Sequence, residues 1–299
     1  LKTLLIVAGP TAVGKTALCV RLAKSLQTDV VSADSRQLYR ELNIGTAKPT
    51  KSEMQGVRHH FVDSHSITDS VNAGRYEREC LALLTTLFAE KDIVILSGGT
   101  GLYINAVCFG LDDMPVVDAD LRQHLRDRWQ TEGLAILQHE LSQLDPAYVE
   151  TADMQNPARV LRALEVCLST GLPYSSFRRQ QPAQRPFQSV FVALDRPRDE
   201  LYARIDARMD AMLSAGLVDE AQSLVAFRDL SALQTVGYQE IFPYLDGAYN
   251  YEEMTRLLKR NSRRYAKRQL TWFHNQGDYT WFRPDDDEAI LSLVANQQQ

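Results

Sequence analysis

Gly9-Pro10-Thr11-Ala12-Val13-Gly14-Lys15-Thr16 is the stretch on which the reading of this sequence turns. It fits GxxxxGK[ST], follows the apolar run at 3–9 and opens a helical pattern at 15–27. A strand that turns through glycines into a helix is the setting of a P-loop. The glycines let backbone N–H groups face inward around phosphate oxygens, and the helix N-terminus adds partial positive charge. Lys15 is placed to neutralise the outer phosphate and the Thr16 hydroxyl to help hold Mg2+. The motif alone leaves open whether the phosphates are hydrolysed, transferred or released as diphosphate. No NKxD guanine reader is present, and Ile93-Val94-Ile95-Leu96 ends in Ser97-Gly98-Gly99 rather than in an acid. A nucleotide hydrolase is therefore the weaker reading.

Outward from the loop, apolar runs alternate with helical patterns. Strands are expected at 3–9, 29–34 and 92–97, with helices at 74–90 and 102–109. Such alternation implies a parallel sheet with helices on its faces. Around Pro115 the composition changes, with Asp112, Asp113, Asp118 and Asp120 close together. Only helical patterns follow, at 121–129, 134–144 and 158–169, until Gly171-Leu172-Pro173 stops the last one. The polar stretch 178–186 reads as a loop, and 190–194 returns as a buried strand. Helices are expected at 198–214, 218–227 and 251–275, with a frayed end at 296–299. The expected organisation is thus an α/β core at 1–113 and 187–299, P-loop NTPase-like, with an inserted all-helical subdomain at 114–186.

The 33 Lys and Arg against 38 Asp and Glu give a net charge of -5, which argues against a protein that coats nucleic acid by bulk charge. Charge is nevertheless clustered. Arg256, Lys259, Arg260, Arg263, Arg264, Lys267 and Arg268 form a stripe with no acid among them. Such a stripe can grip phosphates, or it can pair with acids of the core. On a helix, Lys259, Arg263 and Lys267 share one face and Arg260, Arg264 and Arg268 the next. No apolar run approaches the roughly 18 residues of a membrane helix, and a strand at the N-terminus leaves no signal peptide expected there. Cys19, Cys80, Cys108 and Cys167 are scattered without a CxxC pair, which fits reduced thiols in a cytoplasmic protein.

In open α/β sheets the C-terminal ends of the strands face the ligand crevice. The second strand runs into Asp34-Ser35-Arg36-Gln37, so Asp34 is expected near the P-loop. A carboxylate there can accept a proton from an amine, and a glutamine amide can read an adenine edge. An Asp at a strand end is equally a turn residue when taken alone.

At this point the sequence resembles the tRNA dimethylallyltransferases, also called tRNA isopentenyltransferases, of the bacterial type. The matching segments are the P-loop; residues 32–39; Gly45-Thr46-Ala47-Lys48-Pro49; His59-His60-Phe61-Val62-Asp63; and Gly98-Gly99-Thr100-Gly101-Leu102-Tyr103. They continue with residues 159–166, including Arg162-Ala163-Leu164-Glu165, then Arg204-Ile205-Asp206-Ala207-Arg208, Val236-Gly237-Tyr238, and Ala266-Lys267-Arg268-Gln269 with Trp272. They run in family order over nearly the whole chain. The resemblance implies transfer of a dimethylallyl group from dimethylallyl diphosphate to N6 of an adenosine beside the tRNA anticodon, at position 37, with diphosphate released. A base in a stack must be flipped out for such chemistry.

The resemblance implies Asp34 as general base, Thr100 and Arg208 beside the reacting groups, and the loop from Gly9 to Thr16 as the diphosphate site with Mg2+. It implies that Ser35, Arg36, Gln37 and Thr100 join Asp34 at the adenosine. It further implies that Arg122, Ala158, Arg159, Val160, Leu161 and Arg162 of the helical insert meet the anticodon stem-loop. The protein is expected to act as a monomer, without a membrane. Three departures from the family pattern stand out. Val13 replaces the usual Ser, Asn72-Ala73-Gly74-Arg75-Tyr76 is worded differently, and the C-terminal zinc finger of eukaryotic members is missing. Adjacent side chains of a strand point apart, so His59 and His60 are expected to be structural or to line the substrate wall rather than to hold a metal. Trp272 and Phe273 are expected in the core. Two rivals share parts of the pattern. A small-molecule kinase would use the P-loop with ATP, and a tRNA-binding protein without catalysis would not need Lys15, Thr16, Asp34, Thr100 and Arg208 together.

Overall fold

The computed structural model describes residues 2–178 and 181–297. The expected loop at 178–186 and the expected frayed end therefore fall partly outside the described residues, at Arg179, Gln180, Gln298 and Gln299. Among the described residues there are six strands, all paired in parallel: β1 (Thr3–Ala8), β2 (Val30–Ser32), β3 (His59–His60), β4 (Ile93–Gly98), β5 (Gln188–Leu194) and β6 (Thr280–Phe282). Their order in the sheet is β3-β2-β4-β1-β5-β6. The helices before the insert are α1 (Lys15–Ser25), α2 (Lys51–Met54), α3 (Ala73–Glu90) and α4 (Gly101–Phe109). The insert carries α5 (Ala119–Glu132), α6 (Leu134–Leu144), α7 (Pro146–Thr151) and α8 (Pro157–Thr170). After it come α9 (Arg198–Ser214), α10 (Leu217–Ser223), α11 (Tyr238–Leu245), α12 (Tyr251–Asn275) and α13 (Asp287–Gln297).

Every side chain of β1 is buried, which is why its sequence is apolar on both faces. Side chains alternate along a strand. Leu4, Ile6 and Ala8 enter one layer with Tyr76 and Leu84 of α3 and Ile104 and Val107 of α4. Leu5 and Val7 enter the other, with Leu18 and Leu22 of α1, Ile205 of α9 and Ile290 of α13. Each such buried side chain contributes about 1.5–3 kcal/mol over leaving it in water. A third cluster joins α9 to α12 over the chain at 39–47, through Leu42, Met209, Leu217, Tyr238 and Leu258. The four cysteines are free and buried. No described helix is long and apolar enough to cross a membrane.

The chain divides into one compact unit of Leu1–Phe109 with Gln184–Gln299 and a second of Gly110–Ala183. The second unit starts and ends a few residues earlier than the 114–186 read from composition. Gly110, at φ 80°, ends α4 in the left-handed region. Arg185 donates to the carbonyls of Ala106 and Val107, both at 2.8 Å, and pairs with Glu77 at 2.6 Å, so it belongs to the core unit. Within the insert, Asn156 caps α8 and Pro157 takes its first position, where the missing N–H costs nothing. Asp145 is 1% exposed and accepts from the Tyr148 N–H, the Ser175 N–H and the Ser175 hydroxyl, at 3.1, 2.7 and 2.9 Å. The helix expected at 218–227 breaks in two. Leu224 turns inward at φ -105°, ψ 3° and is buried in the third cluster, and a separate 3-10 turn covers Val225–Phe227.

Registers Ala8↔Gly98, Ala8↔Ala193 and Ser32↔Ser97 bring four strand ends to one edge of the sheet. The contact that closes this edge is between Gly98 and Ala33. A Cβ on Gly98 would lie 2.2 Å from the Ala33 carbonyl oxygen and 2.4 Å from its carbon. Backbone cannot swing aside as a side-chain tip can, so Gly98→Ala is expected to destabilise the fold by about 2–3 kcal/mol. Urea unfolding of the variant beside the wild type measures it, and an unchanged midpoint would show that the strand ends part without cost.

Candidate active site

A six-residue loop, residues 9–14, joins β1 to α1. Ala12 at φ 63° and Gly14 at φ 118° take left-handed conformations, and no side chain caps the first turn of α1. The open N–H groups there, with the helix dipole behind them, suit an anion. Turning amides inward sends carbonyls outward, and each buried carbonyl needs a donor. The Lys15 ammonium donates to Gly9 and Pro10 at 2.8 and 2.7 Å. Arg204 donates to Ala12 at 2.9 Å and Arg196 to Val13 at 2.7 Å. Arg208 donates to the Thr11 hydroxyl at 3.3 Å. Two loop amides are already spoken for, that of Thr11, which donates to Gln269 at 2.9 Å, and that of Val13, which donates to the Pro10 carbonyl at 3.4 Å. Val13 fills the second apolar layer, so the hydroxyl missing there is replaced by packing.

Of these four cations, Lys15, Arg204 and Arg208 act on one another at the phosphate end. Burial is the main cause that lowers Lys15 to about 8, with Asp34 working against it and Arg208 adding to it. Burial also lowers Arg208, and Arg204 beside it adds to the shift. Positive charge is held at a cost that a bound anion would relieve.

A cavity of about 630 Å³ lies over the loop. Of the expected residues, Thr11, Ala12, Gly14, Lys15, Thr16, Asp34, Arg36, Gln37 and Arg208 line it. Gly9, Pro10 and Val13 stand behind the loop surface. Ser35 and Thr100 lie off the wall and bond each other, with the Ser35 N–H donating to the Thr100 hydroxyl at 3.1 Å. Asp34 accepts the N–H groups of Arg36 and Gln37 on one oxygen, at 2.9 and 3.4 Å, which fixes its orientation and leaves the second oxygen uncommitted by these bonds. Arg36 and Gln37 are themselves tied down. Arg36 donates to the Ser231 carbonyl at 2.8 Å, and the Gln37 amide donates to the carbonyls of Thr46 and Ala47 at 3.3 and 3.4 Å.

Other residues that shape the cavity carry no distinct signal in the sequence. Tyr265 lines the cavity, and its phenol is pushed up to about 12 by burial and then by Asp34. Glu220 holds the wall loop by accepting the N–H groups of Asn43, Ile44 and Gly45 at 2.8–3.0 Å and the Tyr238 hydroxyl at 2.6 Å. The legible signal was Arg204 with Arg208, four apart and so on one face of α9. Nothing in the sequence singled out Glu220.

Other expected residues fall elsewhere. Val160 and Leu161 are buried in the insert's own apolar cluster, so their side chains are packing groups and not a contact surface. Ala158 and Arg159 are exposed on the same helix. Arg122 and Arg162 share Glu165, at 3.3 and 3.0 Å. In the basic stripe, Lys259 pairs with Asp210 at 2.7 Å and Arg263 with Asp206 at 2.6 Å, so these two of that face's three cations are spent on α9, while Lys267 is exposed. Arg264 and Arg268 remain exposed. His60 bonds Asp29 at 2.8 Å and His59 the Val57 carbonyl at 3.0 Å. Phe273 is in the core, whereas Trp272 is half-buried against Gly101.

A cation-backed phosphate loop and an oriented carboxylate facing one cavity, at the C-terminal edge of a parallel sheet, define a P-loop enzyme that works on a phosphorylated substrate. A family model described as IPP transferase matches residues 37–276, and the chain belongs to that family. It is 52% identical to a tRNA dimethylallyltransferase of Cytophaga hutchinsonii, over 100% of this chain and 98% of that protein. It is 46% identical to tRNA dimethylallyltransferase 1 of Bacteroides fragilis, over 98% and 97%. The crystal structure of the tRNA isopentenylpyrophosphate transferase of Bacillus halodurans matches with a TM-score of 0.72 and 40% identity, covering 100% of this chain and 96% of that one.

Lys15 gives a pH dependence. An anion beside the ammonium raises its pKa again, so above pH 8 binding takes up a proton and affinity falls as pH rises. The dissociation constant of a diphosphate ester is expected to be flat below pH 8 and to rise by up to about tenfold per pH unit above it. Titration calorimetry across pH 7–10 measures this, and Lys15→Met should be weaker and flat over the same range. A wild-type slope equal to that of the variant would assign the pH dependence to another group.

Proposed function

We propose that this protein transfers the dimethylallyl group from dimethylallyl diphosphate to N6 of the adenosine at position 37 of tRNA and releases diphosphate. The observation that carries the reading is the cavity itself, with a cation-backed phosphate loop and the Asp34 carboxylate on one wall. The named relatives support the choice of donor and acceptor.

In the proposed reaction the bond between the allylic carbon and the diphosphate oxygen breaks, and N6 bonds that carbon. The electron pair of the broken bond leaves with the diphosphate. Lys15, Arg208 and the loop amides stabilise the departing charge, which is larger on the leaving group than in the bound donor. N6 becomes acidic as it bonds carbon, and the free oxygen of Asp34 takes its proton. The Thr100 hydroxyl holds the Ser35 segment beside Asp34, so its role in this reading is at the base end.

Thr16 lines the cavity, and its hydroxyl is a hard oxygen donor that suits Mg2+. Among the described residues no three His, Cys, Asp or Glu side chains cluster to hold a metal. The ion is therefore proposed to bind with the diphosphate, as Mg2+ does when substrate phosphates supply most of its ligands. When bound, it neutralises charge on the leaving group. We further assign the insert to the anticodon stem-loop, through exposed Arg159 and through Arg122 and Arg162, and the protein to the cytoplasm as a monomer. An ATP-dependent kinase is the alternative, and labelled donor separates the two directly.

Asp34→Asn keeps an oxygen for the two turn amides and removes the base. Turnover is expected to fall about 10²- to 10⁴-fold with tRNA affinity little changed. Single-turnover transfer from labelled dimethylallyl diphosphate, with nucleosides weighed after digestion, is the measurement, and near-normal turnover would remove Asp34 from the mechanism. For the insert, replacing Arg159 and Arg162 together by Ala should weaken all substrate tRNAs alike. The slope of log affinity against log salt should drop by somewhat less than about two units, because each phosphate contact releases about 0.7–0.9 of a counterion. An unchanged slope and affinity would leave these arginines as a solvated face.

A further inference from the structure

Gln269 stands out among the side chains that the proposed chemistry does not use. It is 7% exposed and sits on α12. Its amide oxygen accepts the Thr11 N–H at 2.9 Å, and its amide nitrogen donates to the Gly99 carbonyl at 2.9 Å. One planar group thus links the phosphate loop to the turn that carries Thr100. Gly99 makes room for it, since a Cβ there would lie 2.2 Å from the glutamine nitrogen. A buried glutamine that merely filled space would need no glycine opposite it.

The linked pieces belong to opposite ends of the proposed reaction. Thr11 is in the loop that holds diphosphate. Gly99 precedes Thr100, whose hydroxyl accepts from Ser35 beside Asp34. The same helix carries Tyr265, one turn earlier on the cavity wall, and Trp272, against which Gly101 packs. The chain between Thr11 and Gly99 is long, and β1 and β4 fix only the strand ends. Gln269 fixes the two loops that extend beyond them.

We propose that Gln269 is a positioning residue that sets the distance between the diphosphate end and the base end of the site. It lines the cavity, but the polar atoms of its amide are committed to Thr11 and Gly99 rather than aimed at a substrate. Through its two bonds it keeps the allylic carbon, fixed by the loop, within reach of N6, fixed beside Asp34. A misplacement of about 1 Å between reacting atoms costs on the order of 100-fold in rate. Binding of each substrate separately uses only one end and is spared. This rests on the transfer reaction proposed above.

The test compares Gln269→Met, which keeps length and loses both bonds, with Gln269→Glu, which keeps an acceptor for Thr11 and loses the donor to Gly99. Gln269→Met is expected to lower kcat about 10- to 100-fold, while the Kd of dimethylallyl diphosphate without tRNA, and of tRNA without donor, change less than about threefold. Gln269→Glu should also lose kcat. Combining Gln269→Met with Thr100→Val should cost less than the product of the two single losses, because both act on one turn. The proposal is overturned by kcat within about twofold of wild type in folded Gln269→Met, by a donor Kd that accounts for the whole loss, or by fully multiplicative losses in the double variant. Should Gln269→Met fail to melt cooperatively, Gln269→Asn, too short to reach both partners, is read by the same three criteria. Wild-type enzyme that fails to prenylate tRNA would sink the transfer reaction itself, and that result is seen before any variant is compared.

Discussion

A loop that points its amides at a ligand must find donors for its own carbonyls, and most of this site follows from that requirement. Carbonyls of Gly9, Pro10, Ala12 and Val13 are answered by Lys15, Arg204 and Arg196. A neutral donor would satisfy the bonding equally well. Cations satisfy it and also raise the potential inside the loop, so the support for the backbone and the attraction for phosphate come from the same side chains. Arg196 and Arg204 belong to the segment after β5 and to α9. The loop therefore dictates where the chain must return after its helical insert.

The same economy explains how a chain of net charge -5 offers an anion site. Much of its basic surface is neutralised locally. Lys259 and Arg263 pair with α9 acids, Arg256 with Glu253, and Arg21 with Asp287. Lys15, Arg204 and Arg208 are gathered at the loop, where burial makes the charge of Lys15 and Arg208 expensive and an anionic partner correspondingly welcome. Asp34 works at the edge of that field. Its bonds to Arg36 and Gln37 turn one oxygen to the backbone, so the carboxylate is anchored by the turn it sits in rather than by an ion pair.

Much of this was legible from residue order. The strand-loop-helix at 3–27, the strands at β4 and β5, and the helices α6, α9 and α12 carry long, regular patterns, and α6, α9 and α12 begin and end where those patterns do. What the sequence hid has a common cause. α7 with six residues, β3 with two and β6 with three are too short to show a period, and they exist because neighbours hold them. Asp145 and Glu220 were invisible for another reason. A carboxylate that accepts several backbone amides looks like any surface acid until the fold wraps around it. Val160 and Leu161 show the opposite limit, since a motif match marks residues that matter together without saying which ones face outward. Gln269 stood inside a matched segment as one polar residue among several.

The pairings that finish the site join the two ends of the chain. Thr11 is bonded to Gln269, Arg21 reaches Pro284 and Asp287, β6 closes the sheet beyond β5, and α13 packs into the same apolar layer as α1. These are contacts of very high sequence separation, and they form only once Gln269, β6, Asp287 and α13 have been made. During synthesis the P-loop emerges first, and its strand and helix can take shape early. The braced loop follows only when Arg196 and Arg204 have been made. On the ribosome the nascent protein thus holds a phosphate-binding motif without Arg196 and Arg204 for much of its synthesis, and a message cut short within β5 yields a chain with the motif and without the arginines that brace it.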